Sequence, residues 1–200
     1  MAGNDDLTPQ QKAQQKRLLL VAIALALGVA AMMLLGVKPS LGQPAKLNVG
    51  HMAAFVYKAD QPALSDFKFV DGTGKERTFA EWRGRVVLLN LWATWCAPCR
   101  KEMPDLDKLQ AELGSDKFEV VAISVDRSGV NGAKKFLGEV GVAKLALYAD
   151  PTARLASELK VLGLPATLLI NAEGREVGRL LGPAEWAGDD AKALIRAQVK

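Results

Sequence analysis

"RVVLLNLWATWCAPCRKEMP", Arg85 to Pro104, runs from an apolar stretch into a Cys-x-x-Cys pair and on into a charged segment. Arg85–Trp95 is almost continuously apolar, the pattern of a strand buried on both faces. After Cys96 the period changes. Leu106, Leu109 and Leu113 follow helical spacing, and Gly114 is a fitting stop. Cys96 therefore falls at or next to a helix N-terminus, where unpaired backbone N–H groups and the macrodipole favour negative charge. The thiolate is the attacking species in disulfide chemistry, and this setting lowers a cysteine pKa below its free value of about 8.5. Cys99, one helical turn on, shares the face of Cys96 and can close a disulfide with it. Pro98 fits the first turn, where its missing N–H costs little.

Outward from this stretch, strands and helices alternate. Asp66–Gly84 has strand-like alternation around an Asp71-Gly72 turn signal and reads as a hairpin leading into a helical turn near Phe79–Trp82. Phe118–Asp126 is a second buried strand. Helical stretches near Val130–Val140 and Thr152–Leu159 flank a short strand near Leu145–Tyr148. Ala166–Ile170 and Glu176–Leu181 form strands joined by the turn residues Asn171–Gly174, and a last helix runs from about Ala184 to Val199. This order predicts an α/β sandwich with a mixed sheet.

The N-terminal third is different. Leu18–Val37 holds twenty residues without a charge, and a helix of that length spans about 30 Å, the thickness of a bilayer core. Lys12, Lys16 and Arg17 precede it, whereas Lys38 and Lys46 alone follow closely. That bias places residues 1–17 in the cytoplasm, a single transmembrane anchor at 18–37, and the rest across the membrane. A cleavable signal peptide, with Gly28-Val29-Ala30 at its cleavage site, is the competing reading. It would leave "AMMLLGV" apolar at the new terminus. Residues 38–57, with two prolines and no period, read as a linker, leaving 58–200 as the folded domain. His51 reads as a solvated linker residue.

Net charge is +4, but residues 61–200 carry twenty Lys/Arg against nineteen Asp/Glu. With no basic stripe interleaved with aromatics, a nucleic-acid partner is not expected. The cysteine pair has three readings. A structural disulfide across two intervening residues closes a tiny loop and stabilises little. Structural zinc wants four Cys or His ligands, and the chain has two cysteines and one histidine. Copper delivery wants a further soft or imidazole ligand; Met103 is close in sequence but is equally a core residue. A peroxidase would need an isolated cysteine in a Pro/Thr-rich loop. A redox dithiol fits best, with no metal and no cofactor beyond the Cys96–Cys99 disulfide.

Pro165 stands immediately before the apolar strand Ala166–Ile170, where a proline needs a special reason. A cis Leu164–Pro165 bond beside the cysteines would supply one, leaving a backbone edge for a substrate peptide; an ordinary loop proline is the alternative. Glu102, three residues after Cys99, lies on roughly the same helix face. It is either a partly buried carboxyl that exchanges a proton with Cys99 or a solvated carboxylate paired with Arg100 or Lys101.

The segments Val86–Pro104, "GLPATLLI" (Gly163–Ile170) and "GPAEWAGDDAKALIRA" (Gly182–Ala197) resemble the TlpA/ResA/CcmG family of membrane-anchored, thioredoxin-like thiol reductases, the TlpA branch most of all. The resemblance covers about residues 60–200. It implies a thioredoxin-like fold with an N-terminal β-hairpin extension at 66–84 and a central strand-helix insertion at 127–160. It also implies Cys96 as exposed nucleophile, Cys99 as resolving thiol, Glu102 as active-site glutamate and Pro165 as cis-proline. Trp95, Ala97, Pro98, Leu164 and Pro165 would then meet the substrate. Asn90 stands where thioredoxins keep a buried aspartate; an amide cannot titrate, so the proton task shifts toward Glu102. The cysteines of a second, structural disulfide found in the best-known TlpA pattern are missing. The implied activity is reduction of client disulfides on the periplasmic side of a bacterial inner membrane, with a membrane thiol transporter as electron donor. Expected clients are copper-site cysteines of the cytochrome oxidase subunit or of a Sco-type chaperone, alternatively apocytochrome c. A copper metallochaperone is the rival from another class.

Overall fold

The computed structural model describes Gln10, residues 13–23 and residues 47–199. The chain divides into two compact units, Met1–Ala45 and Lys46–Lys200. In the first, residues 13–23 are helical and exposed. They take in the front of the expected anchor, Leu18–Ile23; its remainder, 24–37, most of the segment 1–17 and the linker part 38–46 lie outside the described residues. Among the described residues no helix is long and apolar enough to cross a membrane.

The second unit is built on Val86–Trp92, a strand in which every residue is buried. It is β4 of an eight-stranded mixed sheet ordered β1-β8-β7-β4-β5-β6-β2-β3. The others are β1 (Val56–Tyr57), β2 (Lys68–Asp71), β3 (Glu76–Thr78), β5 (Phe118–Ser124), β6 (Tyr148–Ala149), β7 (Ala166–Ile170) and β8 (Glu176–Leu181). β4 pairs in parallel with β5, from Val86↔Phe118 to Trp92↔Ser124, and antiparallel with β7, from Val87↔Ile170 to Leu91↔Ala166. The helices are α1 (Ala97–Leu113), α2 (Gly129–Glu139), α3 (Arg154–Glu158) and α4 (Asp189–Arg196).

Strand alternation sorts the core into two layers. Leu88 and Trp92 face α1, α2 and α4, meeting Met103, Leu106, Phe136, Leu194 and Ile195. Val87, Leu89 and Leu91 face the other way, toward Phe67, Phe69, Phe79, Trp82 and Leu155. The expected hairpin forms as β2 and β3, followed by the 3-10 turn Phe79–Trp82. The 127–160 insertion supplies α2, β6 and α3. This is the thioredoxin-like α/β fold with the expected extension and insertion.

Three expectations need correction. The linker reading fails for residues 47–57. Met52 and Phe55 are fully buried, and β1 pairs with β8 through Val56↔Arg179 and Tyr57↔Gly178. His51 is exposed yet pinned, its N–H donating to Asp190 Oδ2 and its Nδ1 lying 3.2 Å from Glu185 Oε1. The short strand begins at Tyr148 and not Leu145, because Asp107 Oδ1 accepts the backbone N–H groups of Ala143, Lys144 and Leu145 and holds them as a loop. The last helix starts at Asp189, since the segment before it turns aside and donates the Ala184 N–H to Glu102.

Phe55→Ala tests the first correction. Emptying a buried phenylalanine site costs about 3–5 kcal/mol, so urea unfolding should show a loss of that order, whereas a tether residue would show almost none.

Candidate active site

The end of β4 and the start of α1 bring the cysteines together. From Trp92 the chain passes through Ala93, Thr94 and Trp95 to Cys96, the N-cap of α1. Asp126, just past β5, accepts from both the N–H and the Oγ1 of Thr94 and so ties this loop to the neighbouring strand. Cys96 and Cys99 are joined in a disulfide, and the Cys99 N–H donates to Cys96 Sγ at 3.3 Å. The sulfur thus meets one of the orphan donors of the helix start, and a Cys96 thiolate would be stabilised there by the same N–H and by the dipole.

Cys99 is completely buried and Cys96 is 5% exposed. The exposed nucleophile implied by the resemblance is therefore, in this oxidised form, a nearly closed one. The bond to Cys99 draws its sulfur toward the inner face of α1. Around it lie exposed groups: Trp95 at 72%, Ala97 and Pro98. The Leu164–Pro165 bond is cis. Continuing the register Leu91↔Ala166 sets Pro165 level with Trp92, at the end of the sheet from which the cysteines depart. Leu164 packs against the cluster that contains both cysteines.

Glu102 is 3% exposed. Its Oε1 accepts from Asn90 Nδ2 at 2.8 Å and its Oε2 from the Ala184 N–H at 3.3 Å. The Trp186 indole lies close enough to favour the carboxylate, although its Nε1 has no hydrogen bond of normal geometry. Desolvation outweighs these favourable contacts and pushes the carboxyl up to about 7. The alternative of a solvated carboxylate paired with Arg100 or Lys101 does not hold. Arg100 instead lies over the Phe136 ring at 4.6 Å and pairs with Glu139 at 3.3 Å. A groove of about 330 Å³, lined among others by His51, Lys101, Asp105 and Glu185, reaches Glu102 from solvent.

Sequence reasoning missed three contributors. Thr167 is fully buried, and its Oγ1 accepts the second N–H of the Asn90 amide at 2.9 Å. A single hydroxyl within the apolar "ATLLI" was the available signal. The backbone of Ala184 and the buried indole of Trp186 close the pocket of Glu102, and only the quoted "GPAEW" segment pointed to them. Among the described residues, no group of three or more His, Cys, Asp or Glu could hold a metal ion.

The Redoxin family model matches residues 58–195. The chain belongs to the Redoxin family. The chain is 30% identical over 117 residues to the thiol-disulfide oxidoreductase ResA of Bacillus thuringiensis, a match covering 58% of this chain and 66% of that one. It is 35% identical over 100 residues to the thiol:disulfide interchange protein HelX of Rhodobacter capsulatus, covering 50% of this chain and 54% of that one. The match thus spans just under two thirds of one relative and about half of the other. Among solved structures, a Chlorobium tepidum protein assigned as the thiol:disulfide interchange protein DsbE superposes with a TM-score of 0.63 at 28% identity, covering 72% of this chain and 100% of that one. The Redoxin domain is of the thiol–disulfide oxidoreductase kind and carries the Cys96–Cys99 disulfide.

The raised carboxyl makes a linkage prediction. A group whose folded pKa exceeds its unfolded value contributes stability present below the unfolded pKa and lost as pH rises through the folded one. Between 4.5 and about 7 the oxidised protein should therefore lose on the order of 3 kcal/mol that Glu102→Gln does not lose. Urea unfolding of both proteins below and above that window measures the difference; parallel pH profiles would contradict it.

Proposed function

We propose that this protein is a membrane-tethered protein disulfide reductase of the TlpA branch, working from its reduced form. The observation that carries the reading is the disulfide at the start of α1 with a buried, near-neutral carboxyl one turn further on. The Cys96 thiolate attacks a client S–S bond, forming a mixed disulfide and releasing one client thiolate, which takes a proton from solvent. Cys99 then gives its proton to Glu102 and attacks Cys96 Sγ. The mixed disulfide breaks, Cys96–Cys99 forms, and the second client thiolate leaves and takes a proton from solvent, so that the client departs as a dithiol carrying two electrons from the pair. Trp95, Ala97, Pro98, Leu164 and Pro165 make the surface on which the client peptide lies.

Anchoring at 18–37, with the catalytic domain in the periplasm of a bacterial inner membrane, is supported by the uncharged run and by the basic residues before it. Reduction in an oxidising compartment needs a resupply of electrons, and a membrane thiol transporter would provide it. The TlpA branch is supported by the Gly182–Ala197 segment, whose Ala184 and Trp186 enclose Glu102. On that basis the clients are copper-site cysteines used in cytochrome oxidase assembly, on the oxidase subunit or a Sco-type chaperone; apocytochrome c is the alternative.

Cys99→Ser should accumulate mixed disulfides through Cys96 in membranes, and mass spectrometry of the trapped partner names the client. Trapping that persists when Cys96 is removed would contradict the assignment of the attacker. Glu102→Gln should slow the resolving step on the order of 10²-fold at neutral pH, the scale of a lost general base. The wild-type rate should climb as Glu102 ionises around its pKa of about 7. Stopped-flow release of a chromophoric thiol from Cys96 measures both, and identical pH profiles would remove Glu102 from the mechanism.

A further inference from the structure

β8 carries a bulge near its start, at the end of the β7–β8 pair remote from the cysteines. Its pairing runs Leu168↔Arg179 and Leu169↔Gly178, then jumps to Ile170↔Glu176, leaving Val177 as the extra residue. In a regular strand, residues three apart point to opposite faces. The extra residue returns Glu176 to the face of Arg179, the face on which Leu168, Ile170, Leu155 and Leu159 are packed. There the two side chains, 15% and 2% exposed, form a fork: Arg179 Nε donates to Glu176 Oε1 at 2.5 Å and Nη2 to Oε2 at 2.6 Å.

The remaining nitrogen looks outward from this pair. Arg179 Nη1 donates to the carbonyl of Leu159 at 3.0 Å and to that of Lys160 at 3.4 Å. These carbonyls follow α3, where a helix leaves acceptors unsatisfied, and Lys160 turns the chain with φ +53°. The next residues are Val161, Leu162 at 96% exposure, Gly163, Leu164 and the cis Pro165. The far end of this loop is held just past β8, where the Gly182 N–H donates to the Pro165 carbonyl at 2.8 Å. β8 and the residue that follows it thus grip both ends of the loop, by a guanidinium at 179 and by a backbone amide at 182.

From this geometry we infer that Arg179 is a positioning residue for client capture: locked by Glu176 and the bulge, it sets where the Leu162–Pro165 edge stands for an incoming peptide. It does not touch the reacting sulfurs. A buried ion pair adds little net stability over an apolar pair of similar volume, so the fork's consequence is the aim of Nη1. The inference rests on the reading of that edge as the client surface, and it predicts a discrimination. A peptide that lies along the edge senses Arg179, and a small disulfide that meets only Cys96 does not.

The test compares reduced full-length wild type, the paired variant Glu176→Leu/Arg179→Met and Arg179→Lys, which keeps the charge but loses the planar fork. Each is mixed with glutathione disulfide and with a disulfide-bonded cyclic peptide, and its melting temperature is recorded. The expected result is a roughly tenfold lower second-order rate constant for the peptide in the paired variant. Arg179→Lys should fall between, with glutathione disulfide reacting within about twofold of wild type throughout. Should the paired variant fail to fold, Arg179→Lys carries the same comparison. An unchanged peptide rate, or an equal loss with both disulfides, overturns the positioning role while leaving the reductase reading in place. Wild-type protein that reduces neither disulfide overturns the reductase reading, and the positioning role with it.

Discussion

A single buried contact organises the site: the Asn90 amide on the central strand donating to the Glu102 carboxyl on the helix that follows the cysteines. Both groups are buried, Asn90 fully and Glu102 at 3% exposure, with only the narrow groove beside Ala184 leading to the carboxyl. A carboxylate buried this way is costly, and the contacts from Asn90 and the Ala184 N–H only partly offset that cost. The outcome is a carboxyl balanced between its two forms near neutral pH, one helical turn from the resolving cysteine. Because an amide stands at position 90, the strand supplies a hydrogen bond and leaves the titration to the helix.

Much of the surrounding structure serves that balance. Thr167 accepts the other Asn90 N–H, so the amide keeps both its protons aimed at fixed partners on α1 and β7. The segment from Gly182 folds over the carboxyl instead of extending α4, and Trp186 is fully buried there. The short N-terminal strand and turn are held beside it through His51, Asp190 and Glu185. On the opposite face, β8 fixes the loop that ends in Pro165. The Arg179 grip thus reaches the Pro165 loop from the side of the sheet opposite α1.

How much of this was legible in the sequence follows from the range of the interactions. The passage from buried strand to Cys96 to helix was readable because each piece is a local period, and its change marks the helix start. Asn90 was readable through the resemblance, as the residue standing where thioredoxins keep an aspartate; no such comparison marks Thr167. Met52 and Phe55 were not readable, since the apolar run Met52–Tyr57 is too short to show a strand or helix period. Their burial depends on pairing with β8, far along the chain. The start of the short strand at Tyr148 could not be seen either, because one carboxylate, Asp107, takes three backbone donors from a distant loop. The Arg179 fork depends on a bulge, and side-chain alternation counted on sequence alone puts its two partners on opposite faces.

The central claim is that the proton acceptor beside the cysteines is Glu102, with a carboxyl moved far out of its ordinary range by burial. Carbon-13 NMR titration of the Glu102 side-chain carboxyl in the oxidised protein measures this without passing through activity. The account predicts a midpoint of about 7; a midpoint at the ordinary value of 4.5 would contradict it.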